Sequence, residues 1–541
     1  MALALKDIQT KRLALSVLFP ALLIFAITRQ SLWMDEGFTA WFASSTSIKS
    51  FFSTLMGSRE APGDPQMLFY LLYMWGWVKV WGTSEIALRA ANIPLAVLLL
   101  GALSWASRTL FRRPNAWLIV CVSPFLWFYM NDARPYVALM AFATVSIVAE
   151  LAYLMQPTVY RRVAPWCSLT ALLFAWGSHI LGVFLIPALI TLALIMIWDQ
   201  PELRKNFLRD WFPAMFSLLP VFVALSAFFL WASRFGVNIK QVEPRIANLT
   251  FVIYEFLGFG GLGPPRTELR ESPHVSTLVD YWPWLLIGVV AVAGFGYVLL
   301  RSTANQVSRA LAASLLVGLS LAFMVAKIAH LQLMGRYVAA LFPFLLIFLL
   351  SWGQDATESS RGRYPRLVAL TALFIAWGIS DFRLVLLPQY EKESYRTASS
   401  ISSALAAETG GGILWAADSH TAGYYGVRVL KPDADPASAG NSTYTRVIWP
   451  VHGQAIDVGN WTVDEAAEYV DRRSTPLVLV LSRPDLYDKN GGWRTLVEKQ
   501  RPTVVREMTE FQIYEWPARS TDGIARLRSI GPPAAQSGAL R

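Results

Sequence analysis

Long apolar runs separated by short polar turns fill the first 385 residues of the chain, and a different rhythm follows them. A bilayer's hydrocarbon core, about 30 Å thick, takes roughly 17–25 mostly apolar residues per helix. Runs of that kind, some only with their flanks, lie near 13–28, 86–107, 116–131, 135–155, 166–178, 181–198, 211–231, 282–300, 309–328, 337–352 and 366–384, which predicts about 11 transmembrane helices. One further run, PQMLFYLLYMWGWVKVW at 65–81, reads either as another span or as a helix lying along the interface.

Charge decides between those two readings. If 65–81 stays on the outer surface, the cytoplasmic segments hold Lys6, Lys11 and Arg12; Arg108, Arg112 and Arg113; Arg161 and Arg162; Arg204, Lys205 and Arg209; Arg301 and Arg309; Arg361, Arg363 and Arg366. The short outer loops then hold only Arg134 and Arg336. A spanning 65–81 would flip every later helix and move 13 of those 16 cations outside, against the positive-inside bias. The run is therefore expected to be interfacial, with the N-terminus cytoplasmic and the C-terminus outside. Three long segments then share the outer face: about 29–85, about 232–281, and everything after 385. The first apolar run lacks a small-residue cleavage site and reads as a retained span.

Beyond 385 the strand-like runs ILWAAD (413–418), RVIWPV (446–451) and PLVLVLS (476–482) alternate with a polar helical pattern, TVDEAAEYVDRR (462–473). That alternation predicts a small α/β domain. The expected organisation is a mainly α membrane domain over 1–385, an extracytoplasmic α/β domain over 386–518, and a polar, disordered tail over 519–541. GGG at 410–412 precedes a strand instead of opening a helix, which argues against a nucleotide site.

Composition agrees with a membrane protein. Hydrophobic residues make up 55% of the chain and charged residues 16%, against about a quarter charged in soluble domains. The 22 Trp suit a protein with two interfaces to anchor. The net charge of +10 follows from Lys and Arg in cytoplasmic loops, so it does not argue for nucleic acid. The 2 cysteines, Cys121 and Cys167, sit inside apolar runs and read as buried hydrophobes without a disulfide. No internal repeat is evident, which weakens a transporter reading.

With this topology the singular polar residues fall on one side. Asp35 and Glu36 open the first outer loop in SLWMDEGFTAWF (31–42); Asp132 and Arg134 lie in YMNDARPY (129–136), after the third span; His330, Arg336 and Tyr337 lie in HLQLMGRY (330–337), between the ninth and tenth. An ionisable residue at membrane depth is costly and marks function by default. Each also has a plainer reading. Asp35 can cap the helix that follows it, although capping explains one carboxylate more easily than two in succession. Asp132 and Arg134 can form a structural ion pair, and Arg336 can snorkel. His179 reads as a satisfied interfacial histidine, and no histidines share metal-ligand spacing. Trp33 and Trp41 are candidates to stack on a sugar ring.

Taken in order, these motifs resemble the polytopic GT-C glycosyltransferases, specifically bacterial members of glycosyltransferase family 39, relatives of the protein O-mannosyltransferases and of the aminoarabinose transferase that modifies lipid A. The resemblance runs over about 10–385. It rests on the acidic pair Asp35-Glu36, the Pro-containing interfacial run DPQMLFYLLYMWGWVKVWG (64–82), SEIALRAANIPLAVL (84–98), YMNDARPYVAL (129–139), GRYVAALFPFLL (335–346), and EKESYRTASS (391–400) leading into the outer domain. Two departures touch substrate-facing positions: Gly63-Asp64-Pro65-Gln66 replaces the family's His-Pro-Pro or Asn-Pro-Pro, and Asp132 stands where Glu is usual.

The resemblance implies an inverting glycosyltransferase of the bacterial inner membrane. It would move a sugar from a polyprenyl-phosphate donor to a lipid, glycan or protein acceptor on the extracytoplasmic side. Asp35 and Glu36 are the implied catalytic pair, and Asp64, Asp132, Arg134, Tyr136, His330, Arg336 and Tyr337 the implied substrate-binding residues. No organic cofactor is implied, a divalent cation is compatible, and the partners are lipids and an acceptor, not nucleic acid. A lipid-linked saccharide flippase and a polysaccharide polymerase or ligase are the competing readings.

Overall fold

A computed structural model describes residues 21–57, 65–113, 116–232, 244–265, 268–269, 275–301, 305–351, 360–430, 451–459, 461–488, 490–508 and 510–518. The chain divides into two compact units, Met1–Gln30 with Thr39–Glu391, and Ser31–Phe38 with Lys392–Arg541.

The first unit is helical and integral to the membrane. Among the described residues six helices are long and apolar enough to cross a bilayer: Glu85–Thr109, Tyr136–Met155, Ile180–Ile197, Pro201–Ala232, Gln306–Ile328 and Leu367–Leu386. Tyr136–Met155 lies at the centre. Its 20 residues contain neither Gly nor Pro, nearly all are buried, and Ala164–Ser178 and Asn92–Thr109 pack along it. Other apolar runs are interrupted. The run at 116–131 is split at Ser123 into a 3-10 turn, Ala116–Val122, and Pro124–Met130, whose first residue has no N–H to offer. The run at 337–352 begins as the 3-10 stretch Gly335–Leu341, leaves helical geometry at Val338, and resumes as Phe342–Ser351. Of the first run, residues 13–20 lie outside the described residues and Leu23–Ala26 is a single 3-10 turn.

The ambiguous run forms the helix Leu68–Trp81, 14 residues long. At 1.5 Å per residue it reaches about 21 Å, short of the hydrocarbon thickness. Its aromatic residues tie the first loop together as well as offering surface. Trp77 Nε1 donates to the Ala87 carbonyl (2.8 Å), Tyr73 Oη to that of Ala91 (2.7 Å), and Trp75 Nε1 to that of Ser45 (2.9 Å). Cys121 is buried as expected, but Cys167 is exposed on Ala164–Ser178. Apolar character there reflects a face open to lipid, which a hydrophobicity pattern does not distinguish from core.

The second unit carries a six-stranded sheet in the order β2-β3-β1-β4-β6-β5, with β1 Gly412–Ala416, β2 Val427–Leu430, β3 Gly453–Asp457, β4 Leu477–Ser482, β5 Thr503–Met508 and β6 Phe511–Trp516. The first four strands run parallel; β6 is antiparallel to β4, and β5 to β6. Every residue of β4 is buried, as expected for a strand covered on both faces. The two-residue alternation sorts the core into two layers. Ile413, Trp415, Val478 and Val480 meet Tyr395 and Ala398 of the helix Tyr395–Thr409 on one side. Leu414, Leu477, Leu479 and Leu481 meet Ala466, Val470, Trp493 and Leu496 on the other. Val463–Asp471 starts with a Thr462/Glu465 capping box. The runs at 413–418 and 476–482 fall on β1 and β4. Most of 446–451 and all of 519–541 lie outside the described residues.

Candidate active site

The acidic pair sits in the first turn of the helix Met34–Ala43. Its segment, Ser31–Phe38, belongs to the second unit, far from it in sequence. Glu36 is fully buried and Asp35 half-buried. Glu36 Oε2 accepts the Trp33 N–H (3.3 Å) and lies 3.9 Å from Lys392 Nζ, whose ammonium also stands 5.8 Å from the Trp33 ring centre. Both carboxylates stand in the helix's first turn, where negative side chains interact favourably with the positive end of the dipole. The same segment is held by the Leu32 N–H on Tyr425 Oη (2.7 Å) and the Arg396 N–H on Ser31 Oγ (3.1 Å).

In the first unit, Arg134, Tyr136 and Arg336 are linked to His179. This histidine links Ala164–Ser178 to Ile180–Phe184, and its Nδ1 accepts the Leu181 N–H at 3.1 Å. Burial, then the Arg134 guanidinium, then that of Arg336, push its pKa down to about 3. The ring is therefore neutral and carries its proton on Nε2. Two guanidinium groups thus act electrostatically on one buried imidazole. The Tyr136 ring lies 6.4 Å from that of His179 and 4.8 Å from that of Tyr129. Arg336 Nη2 donates to Tyr337 Oη (3.2 Å), with the guanidinium 5.1 Å from the Tyr337 ring centre. Arg134 Nη1 reaches Thr39 Oγ1 at 3.5 Å.

The backbone around these side chains is held by polar residues that sequence reasoning missed. Asn92 Nδ2 donates to the carbonyls of Tyr129 (3.2 Å), Met130 (3.3 Å) and Asp132 (2.7 Å), closing the end of Pro124–Met130. Asn131 Oδ1 accepts the Thr28 N–H (2.9 Å), and the fully buried Arg89 donates to the carbonyls of Thr28 (3.0 Å) and Gln30 (2.8 Å). Buried Glu255 accepts the Gly335 N–H at 2.8 Å. A Cβ on Gly335 would stand 2.3 Å from Glu255 Oε2, so the glycine ahead of Arg336 permits that close approach. The available signals were Arg89 and Asn92 within SEIALRAANIPLAVL and a lone Glu255 in an apolar helix.

His330 is exposed at the end of Gln306–Ile328, with φ at 50°. Asp64 lies outside the described residues. Asp132 is buried, and its carbonyl, as above, is bound by Asn92. Trp41 is 4% exposed and packs on Phe42, which withdraws it from a sugar-stacking role. Among the described residues no three His, Cys, Asp or Glu side chains group as a metal site.

The chain superposes on the crystal structure of ArnT from Cupriavidus metallidurans in the apo state, with a TM-score of 0.53 and 14% identity, over 95% of this chain and 98% of that one. ArnT from the same organism bound to undecaprenyl phosphate gives 0.51 and 14%, over 93% and 97%. The fold is GT-C. No protein-family model and no curated protein sequence matches the chain. The GT-C likeness is thus carried by backbone architecture and nearly full-length coverage, at an identity where side chains have largely diverged.

Proposed function

We propose that this chain is an inverting glycosyltransferase that moves a sugar from a polyprenyl-phosphate donor to a lipid, glycan or protein acceptor. The observation that carries the reading is that the Arg134 and Arg336 guanidiniums both act electrostatically on the neutral ring of His179, in a chain with the fold of a protein solved with undecaprenyl phosphate. A lipid phosphate is already a good leaving group, so its departure needs charge neutralisation more than an acid. Arginine supplies that with two-point geometry. The acceptor hydroxyl attacks the anomeric carbon, the bond from that carbon to the phosphate oxygen breaks, and polyprenyl phosphate leaves. Asp35 takes the hydroxyl proton, and Glu36, paired with Lys392, orients the helix that carries it. Asp64, Asp132, Tyr136, His330 and Tyr337 are the remaining substrate-binding residues of this reading.

In this reading the reaction runs on the extracytoplasmic face of a bacterial inner membrane, with about 11 spans, the N-terminus inside and the C-terminal domain outside. No organic cofactor enters. EDTA treatment tests for a divalent cation on the phosphate.

The deciding experiment is lipid extraction from cells with and without the protein, with polyprenyl-phosphate sugars measured by mass spectrometry. One such lipid accumulates in the absence of the protein, and Asp35→Asn reproduces the accumulation with a rate loss of about 10²–10⁴, the usual contribution of a general base. If no lipid-linked sugar changes, the donor assignment fails and the flippase and polymerase readings return.

A further inference from the structure

The C-terminal unit does more than follow the membrane helices: it builds the seat in which the acidic pair stands. Met34 immediately precedes Asp35, and its N–H donates to Glu393 Oε2 at 3.0 Å. The other oxygen of that carboxylate, Oε1, lies 3.6 Å from Arg483 Nη1, and both side chains are largely shielded from solvent. Glu393 thus meets one of the four orphan amides at the start of Met34–Ala43, while Glu36 reaches back to the Trp33 N–H from within the helix. Tyr487 Oη contacts Met34 Sδ at 2.9 Å, and Thr421 Oγ1 contacts the Met34 carbonyl at 3.4 Å. Gly37 then passes so close that a Cβ there would fall 1.9 Å from Thr421 Oγ1 and 2.9 Å from Thr421 Cα. Arg483 itself stands at φ 43°, a left-handed conformation that a bulky residue adopts only when its surroundings hold it.

We infer that Glu393 is a positioning residue for the proposed base: its ionised carboxylate, held by Arg483, grips the amide that precedes Asp35 and so sets where the Asp35 carboxylate stands. This rests on the reading of Asp35 as the base. Burial raises the Glu393 carboxyl to about 7, Arg483 and the Met34 N–H work against that rise, and Glu510 and Asp35 add to it as like charges. Tyr395 and Tyr487 also face the carboxylate and stay neutral. The grip is therefore strongest above neutrality, because a charged acceptor binds an amide about twice as strongly as a neutral one.

The test uses permeabilised membranes containing the full-length protein and their own pool of lipid-linked sugar. Release of free undecaprenyl phosphate is followed by mass spectrometry from pH 5.5 to 8.5. Wild type should show a rate step centred near pH 7, rising with pH. Glu393→Gln keeps an oxygen for the Met34 N–H but never ionises. It should match wild type at pH 6, lack the step, and fall about tenfold behind at pH 8, as a difference of about 1.4 kcal/mol predicts. A Glu393→Gln profile that overlays wild type, or keeps the step, overturns the inference. Asp35→Asn, assayed in parallel, separates the two ideas. Full turnover by Asp35→Asn sinks the base reading, whereas an inactive Asp35→Asn beside a wild-type-like Glu393→Gln sinks only the positioning role.

Discussion

Replacing Glu393 with glutamine should make the C-terminal unit more stable at pH 8 while making the protein a poorer catalyst. The carboxyl's ordinary pKa of 4.5 rises to about 7 in the folded chain, so the folded state holds this proton more tightly than the unfolded one. Stability tied to that proton is complete below pH 4.5, is lost as the pH climbs, and is gone above about pH 7. At about 1.36 kcal/mol per pH unit the loss amounts to about 3 kcal/mol. The glutamine is neutral throughout and has no such window. The two proteins should therefore be equally stable near pH 4.5 and differ by about 3 kcal/mol at pH 8, with the variant ahead. Hydrogen exchange with mass spectrometry on the full chain in lipid nanodiscs reads this directly from the amides of β1 and β4, once intrinsic rates are corrected for pH. The expected gain in protection at pH 8 is roughly a hundredfold. Comparison at each pH cancels titrations common to both proteins. Equal protection across pH 5–8, or a variant that is weaker at pH 8, would refute the claim that this buried charge is held at a cost in stability. A stabilised, slower variant would show a site kept strained for its chemistry.

Three other outcomes follow from the same geometry. Gly37→Ala gains about 1 kcal/mol of helix propensity but drives a Cβ into Thr421, where even the Cα lies only 2.9 Å away. Overpacking of that kind typically costs about 1–3 kcal/mol, so lower exchange protection and slower turnover are expected, and unchanged values would dismiss the seat at Gly37. His179→Asn should leave the shape of the pH–rate profile between 5.5 and 8.5 unaltered, since the imidazole is already neutral above about pH 3; a lost inflection in that range would show that the ring titrates there. On the proposed reading, Arg336→Ala should weaken retention of added polyprenyl phosphate by the purified protein, measured by native mass spectrometry, more than Arg336→Lys, which keeps the charge but loses the fork. Retention by Arg336→Ala at the wild-type level would remove Arg336 from the phosphate site.

The apolar runs are the part of the architecture most directly written in the chain. Membrane spans are legible because lipid cannot satisfy a backbone amide, so each span must be a long apolar helix with its bonds closed internally. The strands at 413–418 and 476–482 were legible for a related reason: a strand covered on both faces is apolar throughout, as β4 is. The hairpin of β5 and β6 was not, because TVVREM and FQIYEW mix charges into short segments whose pairing is fixed only by their neighbours. Among the candidate residues, Asp35, Arg134 and Arg336 were legible as charges at odds with their surroundings. The residues that hold them were not, since Glu255, Asn92 and Glu393 act across separations of 80, 40 and 359 residues respectively.

By itself, then, the sequence determined that this is a polytopic membrane protein with a small α/β domain and an unusual acidic pair after its first apolar run. Hydrophobic periodicity and the cost of burying charge are local properties that each segment carries alone. Only the tertiary structure decided that two guanidiniums act on the buried ring of His179, and that Met34, Asp35 and Glu36 pack with Lys392, Glu393 and Arg483 in the second unit. Contacts between residues hundreds of positions apart depend on how the chain folds back on itself, and no periodicity within one segment encodes the partner it will meet.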